Sequence, residues 1–302
     1  MKLLAFDIGA TETKHAVVDS EFNISERGFR PTPLDSFENL SGMIRQIYDS
    51  CRDRVEGIAV SMTGFIDPEN GMYHGSGILR DPHEPDVAEN LSRLCGCPVV
   101  IENDGKAATL AEHQLGALKG CHNAAVFVIG TGVAGGLIIN GQLVRGQHFS
   151  AGEYSFVLTD PSRFREKDAI LGDHCSTSFM LKRYRELSGE QISGRQLFQR
   201  LPEDPNAQQA LDELCNNVAV QLYNLGWLLD PEKIAIGGGI SGQPIVRDLI
   251  AEKFSRLNGE TFAGQHRHKV HAEIVTARFR NDASLLGAVL SYLMYRQKPD
   301  CQ

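Results

Sequence analysis

Apolar and polar positions along this chain change period repeatedly, and each change predicts an element. Continuous apolar runs bounded by turn residues predict strands at Lys2–Asp7, Lys14–Val18 and Asn23–Gly28, a meander that ends at Pro31 and Pro33. Helical spacing of Phe37, Leu40, Met43, Ile44 and Ile47 then predicts a helix over Ser36–Arg52, with Ser36 as its cap and Glu38 in the first turn. A buried strand, Gly57–Ser61, runs through Met62, Thr63 and Gly64 into a long loop, FIDPENGMYHGSGILRDPHEP. A short helix (Asp86–Leu94) and a strand (Pro98–Ile101) follow. A loop this rich in glycine and proline between firm elements points to binding, so Gly64 and Gly77 are candidate substrate contacts.

The pattern pauses at Gly116 and Gly120 and then restarts. The pause predicts a boundary, with a smaller unit over 1–118 and a larger one over 119–281. Ala124–Ile129 is a strand, GTGVAGG a turn, and Leu137–Asn140 a second strand that leaves through a tight Asn140-Gly141 turn. Residues 161–173 are polar and yield no assignment. Helices are predicted at Cys175–Leu187, Pro205–Leu229 and Gln243–Leu257, strands at Lys233–Ile236 and Val270–Val275, and a last helix at Asp282–Tyr295. Strand, glycine turn and strand therefore occur twice, at Asp7–Thr11 and at Gly130–Gly136. The fold class is α/β. Two similar halves, each with a glycine hairpin, are expected to face one another across a catalytic cleft.

Candidate chemistry concentrates in VVIENDGKAATLAEH, Val99–His113, where a buried strand meets a small-faced helix. Asp104 stands at the join, at the expected N-cap. It is either a plain helix cap or a catalytic base held between a rigid strand and helix N–H groups. Gly9 lets backbone N–H groups approach a phosphate, or makes a plain hairpin turn, and Asp7 could reach Mg²⁺ through water. Glu153 lies in a glycine-rich loop, as a salt-bridge partner or as an acceptor for vicinal hydroxyls. Gly237-Gly238-Gly239, between strand and helix, would let a flat ring or a phosphate lie on bare backbone, or permit a close strand–helix crossing.

Composition narrows the function classes. The 302 residues carry a net charge of −8, which argues against a broad nucleic-acid surface but not against a nucleotide substrate. No apolar run approaches the roughly 20 residues that span a bilayer. Asp7 interrupts the start too early for a signal peptide, so a cytoplasmic protein is expected. Seven scattered cysteines are read as free thiols; Cys95-Gly-Cys97 has no second pair at zinc-like spacing.

Five motifs in order, Asp7-Ile-Gly9-Ala-Thr11, Glu102-Asn103-Asp104, Gly130-Thr131-Gly132-Val-Ala-Gly135-Gly136, Ala151-Gly152-Glu153 and Gly237-Gly238-Gly239, resemble the ROK family of sugar kinases in the actin-like ATPase superfamily. Among them the chain looks most similar to the bacterial β-glucoside kinases, sharing the FIDP stretch, the AGE-aromatic segment followed by LTD, and the Asp282-Ala-x-Leu-x-Gly-Ala start of the last helix. The resemblance implies two actin-like (ribonuclease H-like) domains, the first completed by the C-terminal helix 282–297. It implies ATP and Mg²⁺, with phosphorylation of a sugar hydroxyl, the 6-OH of a glucose-type sugar or β-glucoside. N-acetylmannosamine, N-acetylglucosamine or another hexose is the alternative acceptor.

Position by position, the resemblance makes Asp104 the base and has Asn103 and Glu153 bind the sugar. Gly9, Thr11, Gly130, Thr131 and Gly132 would cradle phosphates, Gly238 and Gly239 back the adenosine, and Asp7 sit near Mg²⁺. A sugar-sensing regulator of the same family is disfavoured, because the first strand begins at residue 2 and the charge is acidic. No membrane or nucleic-acid partner is expected, and a homodimer is expected on resemblance alone.

The chain departs from the family at Ala10 and Ala134, each in place of glycine, and after Glu153. There Tyr154-Ser155-Phe156 replaces the family's x-Gly-His, and only His174-Cys175 remains of a zinc motif, so no structural zinc is expected. Phe156 would offer an apolar face to a substituted sugar, or fill the space the zinc module leaves.

Overall fold

A computed structural model of the chain describes residues 1–75 and 86–296. It divides into two compact units. The first comprises Met1–Ala111, Arg145–Ala151 and the chain from Asp282 onward; the second comprises Glu112–Val144 and Gly152–Asn281.

In the first unit the meander is β1 (Lys2–Ile8), β2 (Glu12–Asp19) and β3 (Ile24–Pro31), followed by α1 (Phe37–Asp49). Ser36 caps α1 as expected, its side chain accepting from the Asn39 N–H. Then come β4 (Ile58–Met62), a short hairpin of β5 (Ile66–Asp67) and β6 (Met72–Tyr73), α2 (Val87–Cys95), β7 (Val99–Asn103) and α3 (Asp104–Gln114). The sheet runs β3-β2-β1-β4-β7, antiparallel through the meander and parallel from β1 to β7. Leu4, Phe6, Ile8, Ile58, Val60 and Ile101 share one core with α1 and α2.

In the second unit, β8 (Ala124–Ile129), β9 (Val133–Ile139) and β10 (Gln142–Leu143) form another meander. Helices α4 (Thr177–Ser188), α5 (Gly194–Arg200) and α6 (Pro205–Leu229) lead to β11 (Lys233–Gly237). The unit ends with α7 (Pro244–Glu260), α8 (Phe262–Gln265) and β12 (Glu273–Thr276). The sheet order, β10-β9-β8-β11-β12, repeats that of the first unit, with the same antiparallel and parallel neighbours. The last helix, α9 (Ala283–Tyr295), belongs to the first unit and packs on β1, β4 and β7.

Several expectations need correction. The second glycine turn is only Gly130-Thr131-Gly132, because β9 already begins at Val133. Gly135 lies within that strand, where a Cβ would come within 2.4 Å of the Tyr154 ring and 2.1 Å of the Val126 carbonyl oxygen. Its glycine makes room for an aromatic ring. The triple glycine does not open directly into a helix: a 3₁₀ turn, Gly239–Gly242, intervenes before α7. The long loop after Gly64 contains the β5–β6 hairpin, nucleated by Asp67, which accepts from the N–H groups of Glu69 and Asn70. The strand expected at Val270–Val275 begins only at Glu273.

Candidate active site

In the first unit, parallel register places the candidate residues along one sheet edge. Ile8 pairs with Met62, and Met62 with Asn103. The residues that follow these three strand ends, Gly9, Thr63 and Asp104, therefore emerge together at the carboxyl ends of parallel strands, where α/β sheets bind ligands.

At the join of β7 and α3 the helix cap is Asn103. Its Oδ1 accepts from the Lys106 N–H at 2.9 Å, and its Nδ2 donates to the Gly64 carbonyl at 3.0 Å. Asp104, expected at the cap, is instead the first helical residue. Both side chains are good cap formers, and the length of β7 selects the earlier one. Asp104 Oδ1 accepts from the Gly105 N–H at 2.8 Å, and Oδ2 accepts from the Thr63 hydroxyl at 3.0 Å. Burial raises its pKa above the usual carboxylate value, while those two bonds and the Lys106 charge pull the other way. Asp104 is thus oriented, desolvated and not consumed as the cap.

Asp7, near the end of β1, lies opposite Lys14 on β2, with Nζ 3.8 Å from Oδ2. Burial pushes the Asp7 pKa up to about 6; the Lys14 charge lowers it and the Asp104 carboxylate raises it. The Gly9 N–H donates to the Glu12 carbonyl at 3.1 Å, and the Thr32 hydroxyl donates to the Gly9 carbonyl at 2.8 Å. Thr11 lies in the same turn, its carbonyl accepting from the Thr32 N–H. Neither Ala10 nor Ala134 takes up a left-handed backbone, so both are accommodated where the family has glycine.

In the second unit the Gly130–Gly132 turn is fastened to α4. The Thr177 N–H and hydroxyl both donate to the Gly130 carbonyl, at 2.8 and 2.7 Å, and the Ser178 hydroxyl donates to the Thr131 carbonyl at 2.7 Å. A cavity of about 870 Å³ opens beside this turn, lined among others by Thr131, Gly132, Ser155, Asp173, His174 and Lys182. Glu153 is half-buried and precedes the short turn Tyr154–Phe156. The Tyr154 ring is buried against Phe127, with its centroid 5.3 Å away, whereas Phe156 is 54 % exposed.

Gly238 has φ +90°, and a Cβ there would lie 2.2 Å from the Ile129 carbonyl oxygen. Beside Gly239 lies a second cavity, about 520 Å³, lined by Arg195, Phe198, Gln199, Ile240 and Gln243. Sequence reading missed Arg195 and Phe198, because it left α5 unassigned. The signal was there: Ser193 and Gln196 form a capping box that starts this helix.

The first unit thus brings together Asp7, Gly9, Thr11, Gly64, Asn103 and Asp104. The second holds Gly130, Thr131, Gly132, Glu153, Gly238 and Gly239. Gly77 lies outside the described residues. His174 Nε2 is 2.6 Å from the Asp168 carbonyl oxygen, and Cys175 is a core thiol whose pKa burial pushes up to about 12. Among the described residues no three His, Cys, Asp or Glu side chains cluster as a metal would require, and no helix is long and apolar enough to cross a membrane.

Comparison with known proteins supplies the family. A profile described as the ROK family matches residues 3–294. The β-glucoside kinase of Listeria monocytogenes is 32 % identical, with 97 % of this chain and 98 % of the relative covered. That of Klebsiella pneumoniae is 30 % identical, covering 99 % of each. A Listeria monocytogenes protein of known structure, to which N-acetylmannosamine kinase activity has been attributed, superposes with a TM-score of 0.85 at 31 % identity, covering 98 % of this chain and 100 % of its own. The chain belongs to the ROK family, shares its actin-like two-domain fold, and stands with its sugar kinases.

Proposed function

We propose that the protein transfers the γ-phosphoryl group of ATP to the primary 6-hydroxyl of a glucose-type sugar or β-glucoside, with Asp104 as the general base. The observation that carries this reading is the Asp104 carboxylate itself. Thr63 and Gly105 aim it, Asn103 relieves it of capping, and burial raises its proton affinity. As the sugar hydroxyl attacks the γ-phosphorus, Asp104 accepts its proton, an effect of about 10²–10⁴-fold in rate. Asn103, Glu153, Gly64 and Gly77 are the proposed acceptor contacts, and they orient the attacking oxygen.

The glycine turns at Gly9–Thr11 and Gly130–Gly132 are proposed to present N–H groups to the phosphates. Gly238 and Gly239 would back the adenosine, with Arg195 and Phe198 beside it. For Mg²⁺ the first unit offers the Asp7 carboxylate, which faces Lys14. That fits a cation held mainly by phosphate oxygens and reached by Asp7 through water. Bound Mg²⁺ would neutralise charge on the phosphate oxygens.

Phe156 supports a glycoside acceptor, because its exposure means that it is not core filling. The similarity to a protein with attributed N-acetylmannosamine kinase activity favours a second reading, in which the acceptor is an N-acetylhexosamine. Coupled ATP-consumption assays with glucose, cellobiose, N-acetylmannosamine and N-acetylglucosamine separate the two. For the base, Asp104→Asn is expected to bind sugar by calorimetry yet lose at least about 10²-fold in kcat. Near-normal turnover would overturn the assignment.

A further inference from the structure

Residues 145–151 form a strap that belongs to the first unit although its neighbours on both sides belong to the second. Its anchor is Arg145, which makes an ion pair with the fully buried carboxylate of Glu102 and lies over the Tyr295 ring at 5.4 Å. Glu102 also accepts from the Ser291 hydroxyl at 3.1 Å, and it stands immediately before Asn103 and Asp104. The Ala151 N–H donates to the Arg145 carbonyl at 3.1 Å and closes the strap into a loop.

Within the strap Phe149 takes φ +58°, a left-handed conformation that is costly for a bulky aromatic residue. That conformation accompanies a flat stack on His74, with centroids 5.5 Å apart and planes 5° from parallel. His74 is tied in turn to the acceptor loop. Its N–H donates to the Phe65 carbonyl at 2.8 Å, and the Phe65 N–H donates to the Gly75 carbonyl at 3.0 Å. Phe65 follows Gly64, whose carbonyl Asn103 holds. Both rings are therefore braced from Glu102 and Asn103, the two residues that precede Asp104. Neither ring belongs to the apolar core of the unit, and His74 is exposed.

We propose that the His74–Phe149 stack is an aglycone subsite, an aromatic platform for the second ring of a β-glucoside acceptor. This rests on the β-glucoside reading above. The second ring of cellobiose is a glucose unit whose 2-, 3- and 4-oxygens are equatorial, so its ring faces present axial C–H groups. An aryl aglycone is flat and apolar. Either packs on an aromatic face, whereas glucose and methyl β-glucoside have no second ring to place there.

The test compares kcat/KM for glucose, methyl β-glucoside, cellobiose and phenyl β-glucoside in the wild type, H74A, F149A and F149G. F149G removes the ring while suiting the left-handed backbone, so it separates loss of the platform from damage to the strap. The expected result is a loss of roughly 3- to 10-fold on cellobiose and phenyl β-glucoside, mostly in KM, with glucose and methyl β-glucoside within about twofold of wild type. A loss equal on all four acceptors, or on none, overturns the subsite while leaving the β-glucoside reading intact. A wild type that phosphorylates no β-glucoside but accepts an N-acetylhexosamine overturns that reading, and the subsite with it.

Discussion

Two adjacent side chains at the β7–α3 join divide work that either could do. Asn103 accepts from the Lys106 N–H, while Asp104, one position later, accepts from the Gly105 N–H with one oxygen and from the Thr63 hydroxyl with the other, which aims it and leaves its remaining lone pairs for chemistry. The pH dependence follows from their surroundings. Asp104 acts as a base only when ionised, and burial raises its pKa, so the acid limb of kcat/KM is expected above the ordinary carboxylate range. The Asp104 carboxylate raises the Asp7 pKa, because the two negative charges repel each other. Asp104→Asn removes that charge and is therefore expected to lower the Asp7 pKa below about 6. Lys14→Met removes the cation opposing Asp7 and is expected to raise the Asp7 pKa above about 6. Profiles of kcat/KM against pH at saturating ATP check the acid limb, and NMR titration of the Asp7 carboxyl checks the two shifts; an Asp7 pKa unmoved by Asp104→Asn would show that Asp7 does not sense the Asp104 charge. Sequence alone singled out Asp104 but misplaced it at the cap, because Asn and Asp are equally good caps and only the end of β7 decides between them.

At the scale of elements, legibility followed local signals. The Ser36 cap, the six apolar residues of β8, and α6 between Pro205 and Asp230 each carry their boundaries in adjacent residues, and each was readable. The β5–β6 hairpin was not, because two-residue strands have no period to detect. Glycines misled for a different reason: the same residue type serves turns and close packing. Gly287 of α9 is of the second kind. A Cβ there would lie 1.7 Å from the Ala107 carbonyl oxygen of α3, a backbone atom that cannot swing aside. Gly287→Ala is therefore expected to destabilise the first unit by about 1–3 kcal/mol or more. Gly42→Ala, in α1 with nothing within 4 Å, is expected to stabilise by about 0.5–1 kcal/mol. Denaturant unfolding of the pair reads the difference, and similar midpoints would mean that α9 does not pack so closely on α3.

Across the whole molecule, the same five-strand order recurs in two units whose sequences share little beyond the placing of strands and glycine turns. The repeat was legible because it resides in the order of elements; which residues surround a ligand was less so, since Arg195 and Phe198 enter only through α5. The first unit carries the proposed base with Asn103 and Gly64 for the acceptor, and the second carries the proposed adenosine contacts together with Glu153, so the two ligands should protect largely different segments. A non-hydrolysable ATP analogue with Mg²⁺ is expected to slow amide exchange at 194–199 and 238–243. The acceptor sugar alone is expected to slow it at 63–65, 102–105 and 145–151. At a concentration 100 times its Kd, either ligand stabilises the folded protein by about 2.7 kcal/mol, ample to read by exchange. A nucleotide analogue that protected the acceptor segments and left 194–199 and 238–243 unchanged would reverse the assignment of adenosine to Gly238 and Gly239.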